Sequence, residues 1–157
     1  MPDDLLDDYR RRLLARYLHQ PEEFAEHLAG LDDDVARKPI KPGEWSAHQV
    51  LFHTSSVDQQ AYGPRLRRIL REERPTLEGY DGDRWMAERY DPAEPIQVLL
   101  ERWQSVRQDY AAEVAGASPE AWSRTGLQPY WGERTLQWWV ERAVAHADEH
   151  WRQLLSE

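Results

Sequence analysis

Six histidines are spread over a chain of 157 residues, and three of them fall on apolar stripes. His146 and His150 stand four apart, so on a helix both imidazoles leave the same face, the spacing of two ligands of one metal ion. His53 shares a helical stripe with Val50 and Val57, so it too faces a core. Burial without partners is costly for each ring, and one ion answers all three. Cysteine is absent. Any metal is therefore held by histidine and carboxylate, and a thiolate nucleophile, an iron–sulfur cluster and disulfides are excluded. His48 lies about 140° round the helix from His53 and is expected at the surface.

The run His146-Ala147-Asp148-Glu149-His150 also spells H-x-x-E-H, the inverted zincin pattern, in which the glutamate is a general base. Seven residues follow His150, which leaves no third ligand beyond it and disfavours a peptidase. Glu149, at the edge of the histidine face, is kept as a candidate acid or base. Thr54, Ser55 and Ser56 cluster beside His53, but no Gly-x-Ser-x-Gly elbow accompanies them. Glycine-rich phosphate loops are absent too.

The elements that must position these residues are helical nearly throughout. Leu5, Leu6, Tyr9, Leu13, Tyr17 and Phe24 repeat at three- and four-residue spacing, with Pro21 expected to break or kink the helix near Gln20. After a connection over 31–44, Ser46 and Gln49 form a capping box that opens a second helix over 47–74, kinked at Gly63-Pro64. The stretch 75–90 reads as a long loop with at most one turn. Asp91-Pro92-Ala93-Glu94 reads as the start of a third helix, whose apolar stripe runs from Ile96 to Val114. Ser118-Pro119-Glu120 begins a short turn, 126–133 is a loop carrying Tyr130 and Trp131, and Thr135 caps the last helix. These elements make a single all-α domain over 1–157, a four-helix bundle with long connections.

The 20 basic and 29 acidic side chains leave a net charge of −9, which argues against nucleic-acid binding. Arg65, Arg67, Arg68, Arg71 and Arg74 form one basic patch, read as a solvated helix end with Glu72 and Glu73 as partners. No run of about eighteen apolar residues crosses a membrane, and the acidic opening Met1 to Asp8 lacks the order of a signal peptide, so a cytoplasmic protein is expected. Eight tryptophans and seven tyrosines against two phenylalanines put the aromatic surface on residues with a polar handle, suited to half-buried site walls. Trp138 and Trp139 are adjacent on one helix and cannot both enter one core, which points one of them at a loop or a subunit contact.

Two segments carry a family resemblance. Trp45-Ser46-Ala47-His48-Gln49-Val50-Leu51-Phe52-His53 resembles the W-S-x-x-[EQ]-V-x-x-H segment that opens the second helix of DinB-like (DinB/YfiT) four-helix-bundle proteins. His146-x-x-x-His150, followed by Trp151-Arg152-Gln153-Leu154, resembles that family's closing H-x-x-x-H-x-x-Q segment. The resemblance covers almost the whole chain and implies an up-down-down-up bundle, a homodimer and a divalent-metal site of His53, His146 and His150. Where the family often has histidine just before the last ligand, this chain has Glu149.

The resemblance also implies an activity. Family members with known reactions include thiol-dependent transferases and isomerases using bacillithiol, mycothiol or related thiols. Three neutral imidazoles leave an open position on Zn, Ni, Fe or Mn, where a thiol is deprotonated and the pKa of water falls toward about 7. A thiol-dependent transferase acting on a small molecule is the leading expectation. A metal-dependent hydrolase with Glu149 handling protons is the alternative, and a non-catalytic metal- or ligand-binding stress-response protein is the third. Arg84, Arg89 and Arg134, in or beside loops, are candidates to hold the carboxylates of a thiol cofactor. Trp85, Tyr130 and Trp131 are candidates to line its pocket.

Overall fold

The computed structural model describes residues 2–156, so Met1 and Glu157 lie outside the described residues. Helix α1, Pro2–Ala29, runs through Pro21 unbroken, which corrects the break expected near Gln20. Pro21 has no N–H for the Tyr17 carbonyl one turn back. Arg107 supplies the missing donor, its Nη1 lying 2.7 Å from that oxygen. A short helix, α2, Asp33–Ala36, sits in the first connection.

Helix α3, Ala47–Val57, opens on the expected capping box, with Ser46 and Gln49 each accepting the other's backbone N–H. A π-helical turn, Asp58–Tyr62, leads into α4, Gly63–Arg71. The expected kink is therefore a widened turn just before Pro64, where the ring leaves Gln60 without an i+4 donor. The helix ends at Arg71 rather than Arg74, which adopts a positive φ of 42°.

Two further boundaries differ from expectation. The stretch read as a loop over 75–90 contains α5, Gly82–Arg89, whose cap is the Asp81 side chain accepting from the Arg84 N–H. This helix buries none of its residues, so it leaves no apolar stripe in the sequence. The third long helix, α6, spans Ile96–Ala115 and does not start at Asp91. Pro95 drives Glu94 out of helical geometry, and Asp91 instead closes a turn by accepting from the Ala93 N–H at 2.9 Å.

A 3₁₀ turn, Pro119–Ser123, follows where a short turn was expected. The loop expected over 126–133 is a β-hairpin, β1 Thr125–Gln128 and β2 Gly132–Thr135, pairing Thr125 with Thr135 and Gln128 with Gly132. Its tip is fixed by Gln128 Oε1, which accepts from the Tyr130 and Trp131 N–H groups at 2.7 and 2.6 Å. Thr135 then caps α7, Leu136–Leu154, as expected. Trp139 is fully buried, while Trp138 packs on Trp131 of the hairpin tip at 5.6 Å. The hairpin thus occupies the second tryptophan, and the pair gives no argument for a subunit contact.

Cross-helix partners set the direction of each helix. Arg10 reaches Gln137 and Arg16 reaches Asp148, so α1 and α7 run parallel. His48 reaches Glu94, Asp58 meets Trp103 and Arg67 meets Glu113, so α3–α4 and α6 run parallel as well. Phe24 packs on Trp103 while Arg107 bonds Tyr17, so α1 and α6 are antiparallel. The four-helix bundle is up-down-down-up. Two parallel consecutive helices require a connection that travels back along the bundle, and 72–95 is that crossover.

A polar layer divides the core into two apolar halves. Its centre is Arg107, with Nε 2.6 Å from Asp58 Oδ2 and Nη1 2.8 Å from Gln20 Oε1. Its Nη2 adds a bond to the Ala143 carbonyl at 3.3 Å, so one guanidinium ties all four long helices together. His48 is another correction: it is fully buried rather than exposed. Its ring is satisfied by the Tyr90 hydroxyl and the Glu94 carbonyl, each at 2.7 Å. Arg65 departs from the expected solvated patch in the same way, being only 7% exposed.

Candidate metal centre

The capping box starts α3 at a register that turns His53 toward α7, and the four-residue repeat on α7 presents His146 and His150 back to it. The Nε2 atom of His146 lies 3.2 Å from Nε2 of His53 and 3.1 Å from Nε2 of His150. One candidate ligand atom from each ring falls within 4.8 Å of the others. Two nitrogens bound to one ion at 2.0–2.1 Å with a tetrahedral angle stand about 3.3–3.4 Å apart. The spacing suits a shared ion.

Proton bookkeeping supports the same fit. Gln153 Oε1 accepts from His150 Nδ1 at 2.8 Å, so Nε2 of that ring presents a lone pair. A single proton on His146 Nε2 can serve one neighbour but not both. A cation between the rings meets three lone pairs at once. Burial pushes the His146 pKa down to about 2, with help from the neighbouring His150 and His53, and that of His53 down to about 4, with help from His150. Burial also lowers His150. All three rings are thus held uncharged at neutral pH, the form that binds a metal.

The surroundings are aromatic. The Trp45 ring lies 4.9 Å from His53 and stacks at 6.3 Å on His150, and Tyr62 meets His146 edge-on at 5.5 Å. The crossover passes directly over the cluster, because a Cβ on Gly82 would stand 3.1 Å from Cε1 of His53. A side chain at 82 would press on the ring, so glycine permits this approach.

Comparison with known proteins places the chain in a family. The sequence model of the DinB superfamily matches residues 16–154. The chain belongs to the DinB superfamily. A protein of Oceanobacillus iheyensis, provisionally named a metal-dependent hydrolase, is 27% identical over 116 residues, 74% of this chain and 66% of its own length. The chain therefore spans just under two thirds of that relative. A Bacillus mycoides protein with the same provisional name is 25% identical over 136 residues, 87% of this chain and 78% of its own. Among solved structures, YfiT from Bacillus subtilis, described provisionally as a metal-dependent hydrolase with an unusual four-helix bundle topology, superposes with a TM-score of 0.74 at 19% identity. That match covers 92% of this chain and 86% of YfiT. TT2238, a four-helix bundle protein, gives a TM-score of 0.64 at 20% identity, covering 94% and 98%. Both structures share the four-helix bundle fold of this chain.

The other candidates do not join the DinB cluster. Glu149 is exposed and faces Arg142, whose Nη1 lies 3.0 Å from its carboxylate. Arg84 pairs with Glu88 at 2.9 Å, and Arg89 lies over Trp85 at 5.3 Å. Arg134 donates to the Trp131 carbonyl at 2.9 Å. Trp85 packs against the half of the core that contains Phe24 and Trp103, whereas Tyr130 and Trp131 do line a cleft. Sequence reasoning passed over Tyr62 and Gly82, and named Gln153 only as part of the closing motif, without its contact to His150. Gln153 had a usable signal, since three residues after His150 it shares that ligand's face. Gly82 had none, because the crossover's path is set by contacts distant in sequence.

Proposed function

We propose that the protein is a metal-dependent hydrolase of small molecules, with His53, His146 and His150 holding one divalent ion. The observation that carries this reading is the convergence of three uncharged rings, with His146 Nε2 lying 3.1–3.2 Å from Nε2 of each of the other two. The provisional names of the relatives support it, and none of those described above is named for thiol transfer. When bound, the ion supplies Lewis acidity that makes a water or thiol nucleophilic at neutral pH. Gln153 fixes the His150 tautomer, and Trp45, Tyr62 and the Gly82 backbone limit water around the rings.

Thiol transfer is the second reading, and one observation favours it. Glu149 is engaged by Arg142, and no carboxylate contacts the three rings among the described residues. A thiol that loses its proton to the ion needs no such base. Metal analysis with parallel turnover assays tests both. About one ion per chain is expected, lost in His53→Ala, with ester or amide hydrolysis lost alongside it. No bound ion refutes both readings. Conjugation of an electrophile to bacillithiol, mycothiol or glutathione, with no hydrolysis, replaces the first reading by the second.

A further inference from the structure

The geometry points to an anion subsite beside the histidine cluster, in which Arg65 holds the carboxylate of a small substrate with a flat apolar body. This rests on the hydrolase reading, since it assigns the substrate class of the same site. A cleft of about 330 Å³ opens where the hairpin tip, the crossover and the π-turn meet. Tyr62, Tyr80, Gln128, Tyr130 and Trp131 line it together with Arg65. Two of these walls reach the cluster. Tyr62 meets His146 edge-on at 5.5 Å, and Tyr80 adjoins Gly82, which touches His53.

Arg65 is the charged side chain in this lining, and no carboxylate shares it. It is 7% exposed and has no acidic partner within 4.0 Å among the described residues, whereas Arg67, Arg68, Arg71 and Arg74 each meet a glutamate. A buried cation without a counterion is costly, and burial lowers its pKa accordingly. Its protein acceptor is the Glu78 carbonyl, 2.8 Å from Nη2. A guanidinium offers five N–H donors, and none of the rest is sealed off without a partner, so they reach the open space beside Arg65, which is this cleft and a neighbouring one bordered by Arg68 and Glu78.

The guanidinium lies over the Trp139 ring at 4.8 Å, a contact that restrains a fork suited to bidentate capture of a carboxylate. Gln128 spends its oxygen on the hairpin tip and leaves Nε2 without an acceptor among the described residues, a second donor on the same cleft. The rings of Tyr62, Tyr80 and Trp131 leave flat apolar surface for the rest of the ligand.

Calorimetric titration of the full chain with benzoate and its neutral isostere benzamide tests the assignment. It is run on zinc-loaded protein and on protein stripped by chelator. Benzoate is expected to bind about tenfold or more tightly than benzamide in both forms, as a charge-assisted pair requires, and Arg65→Gln to abolish that preference. Equal binding of the two probes overturns the proposal, as does no binding of benzoate. A benzoate preference that vanishes on stripping, or survives in Arg65→Gln, overturns it too, because the ion then holds the carboxylate. If Arg65→Gln does not fold, the wild-type comparison on stripped protein decides alone. Metal content is measured on the same samples, so absence of bound zinc counts against the hydrolase reading and leaves the benzoate result intact.

Discussion

Replacing Arg107 by methionine removes the cation at the centre of the polar layer and keeps most of the side-chain volume. Asp58, only 1% exposed, is left with the Trp103 N–H at 2.6 Å as its donor, and its Oδ1 has none even in the intact protein. Breaking a buried ion pair by removing one partner costs about 3–5 kcal/mol. The Tyr17 carbonyl is orphaned as well, since Pro21 cannot serve it, which adds about 1–3 kcal/mol. A loss near 5 kcal/mol lowers Tm by roughly 10–20 °C for a domain of this size. Burial already pushes the Asp58 carboxyl above its ordinary value against the pull of Arg107, and without Arg107 it rises further. A carboxyl raised in the folded state favours folding while protonated, and that advantage is lost as pH climbs from about 4 through the folded pKa. Urea melts of wild type and Arg107→Met are therefore expected to differ more near pH 7.5 than near pH 4.5. Adding Asp58→Asn removes the stranded charge and is expected to restore at least about 1 kcal/mol near pH 7.5. An equal penalty at both pH values, or a double variant no more stable than Arg107→Met, refutes the reasoning.

Two other perturbations probe the site and the helix pairing. Gln153→Ala frees the His150 ring and is expected to weaken zinc binding by about 10–100-fold in a chelator competition, while leaving the fold intact by circular dichroism. Unchanged affinity would mean that the Nδ1 contact does not orient the ring. Gly63→Ala places a Cβ 2.1 Å from Cε2 of Tyr110. Pushing that ring aside is expected to cost about 1–3 kcal/mol, read as a Tm drop of roughly 3–10 °C; no drop would show that the ring yields freely.

The parts of the molecule that were legible in the sequence are those set by near neighbours. Ser46 and Gln49 marked the start of α3 because their bonds close within one turn, and Thr135 did the same for α7. The three histidines were legible because helical spacing alone puts them on apolar faces, and the family motifs then joined the two helices. What stayed hidden depends on remote partners. Pro21 reads as a breaker until Arg107 is brought to the Tyr17 carbonyl. His48 reads as a surface residue until Tyr90 and Glu94 close over it from the crossover. The hairpin strands, Thr125–Gln128 and Gly132–Thr135, are too short to show alternation. Arg65 looked like one of five equivalent arginines, and only burial separates it from the four with acidic partners.

The crossover over 72–95 has a consequence for how this scaffold can diversify. Because α4 and α6 point the same way, the chain must return along the bundle, and its route passes the cleft and lies on His53 at Gly82. The four long helices keep their polar layer and their histidines whatever this segment carries, apart from the stretch near Tyr90 that closes over His48. One connection can therefore change length and sequence to reshape the cleft while the three histidines stay in place. Topology has separated the part of the protein that can be rewritten from the part that cannot.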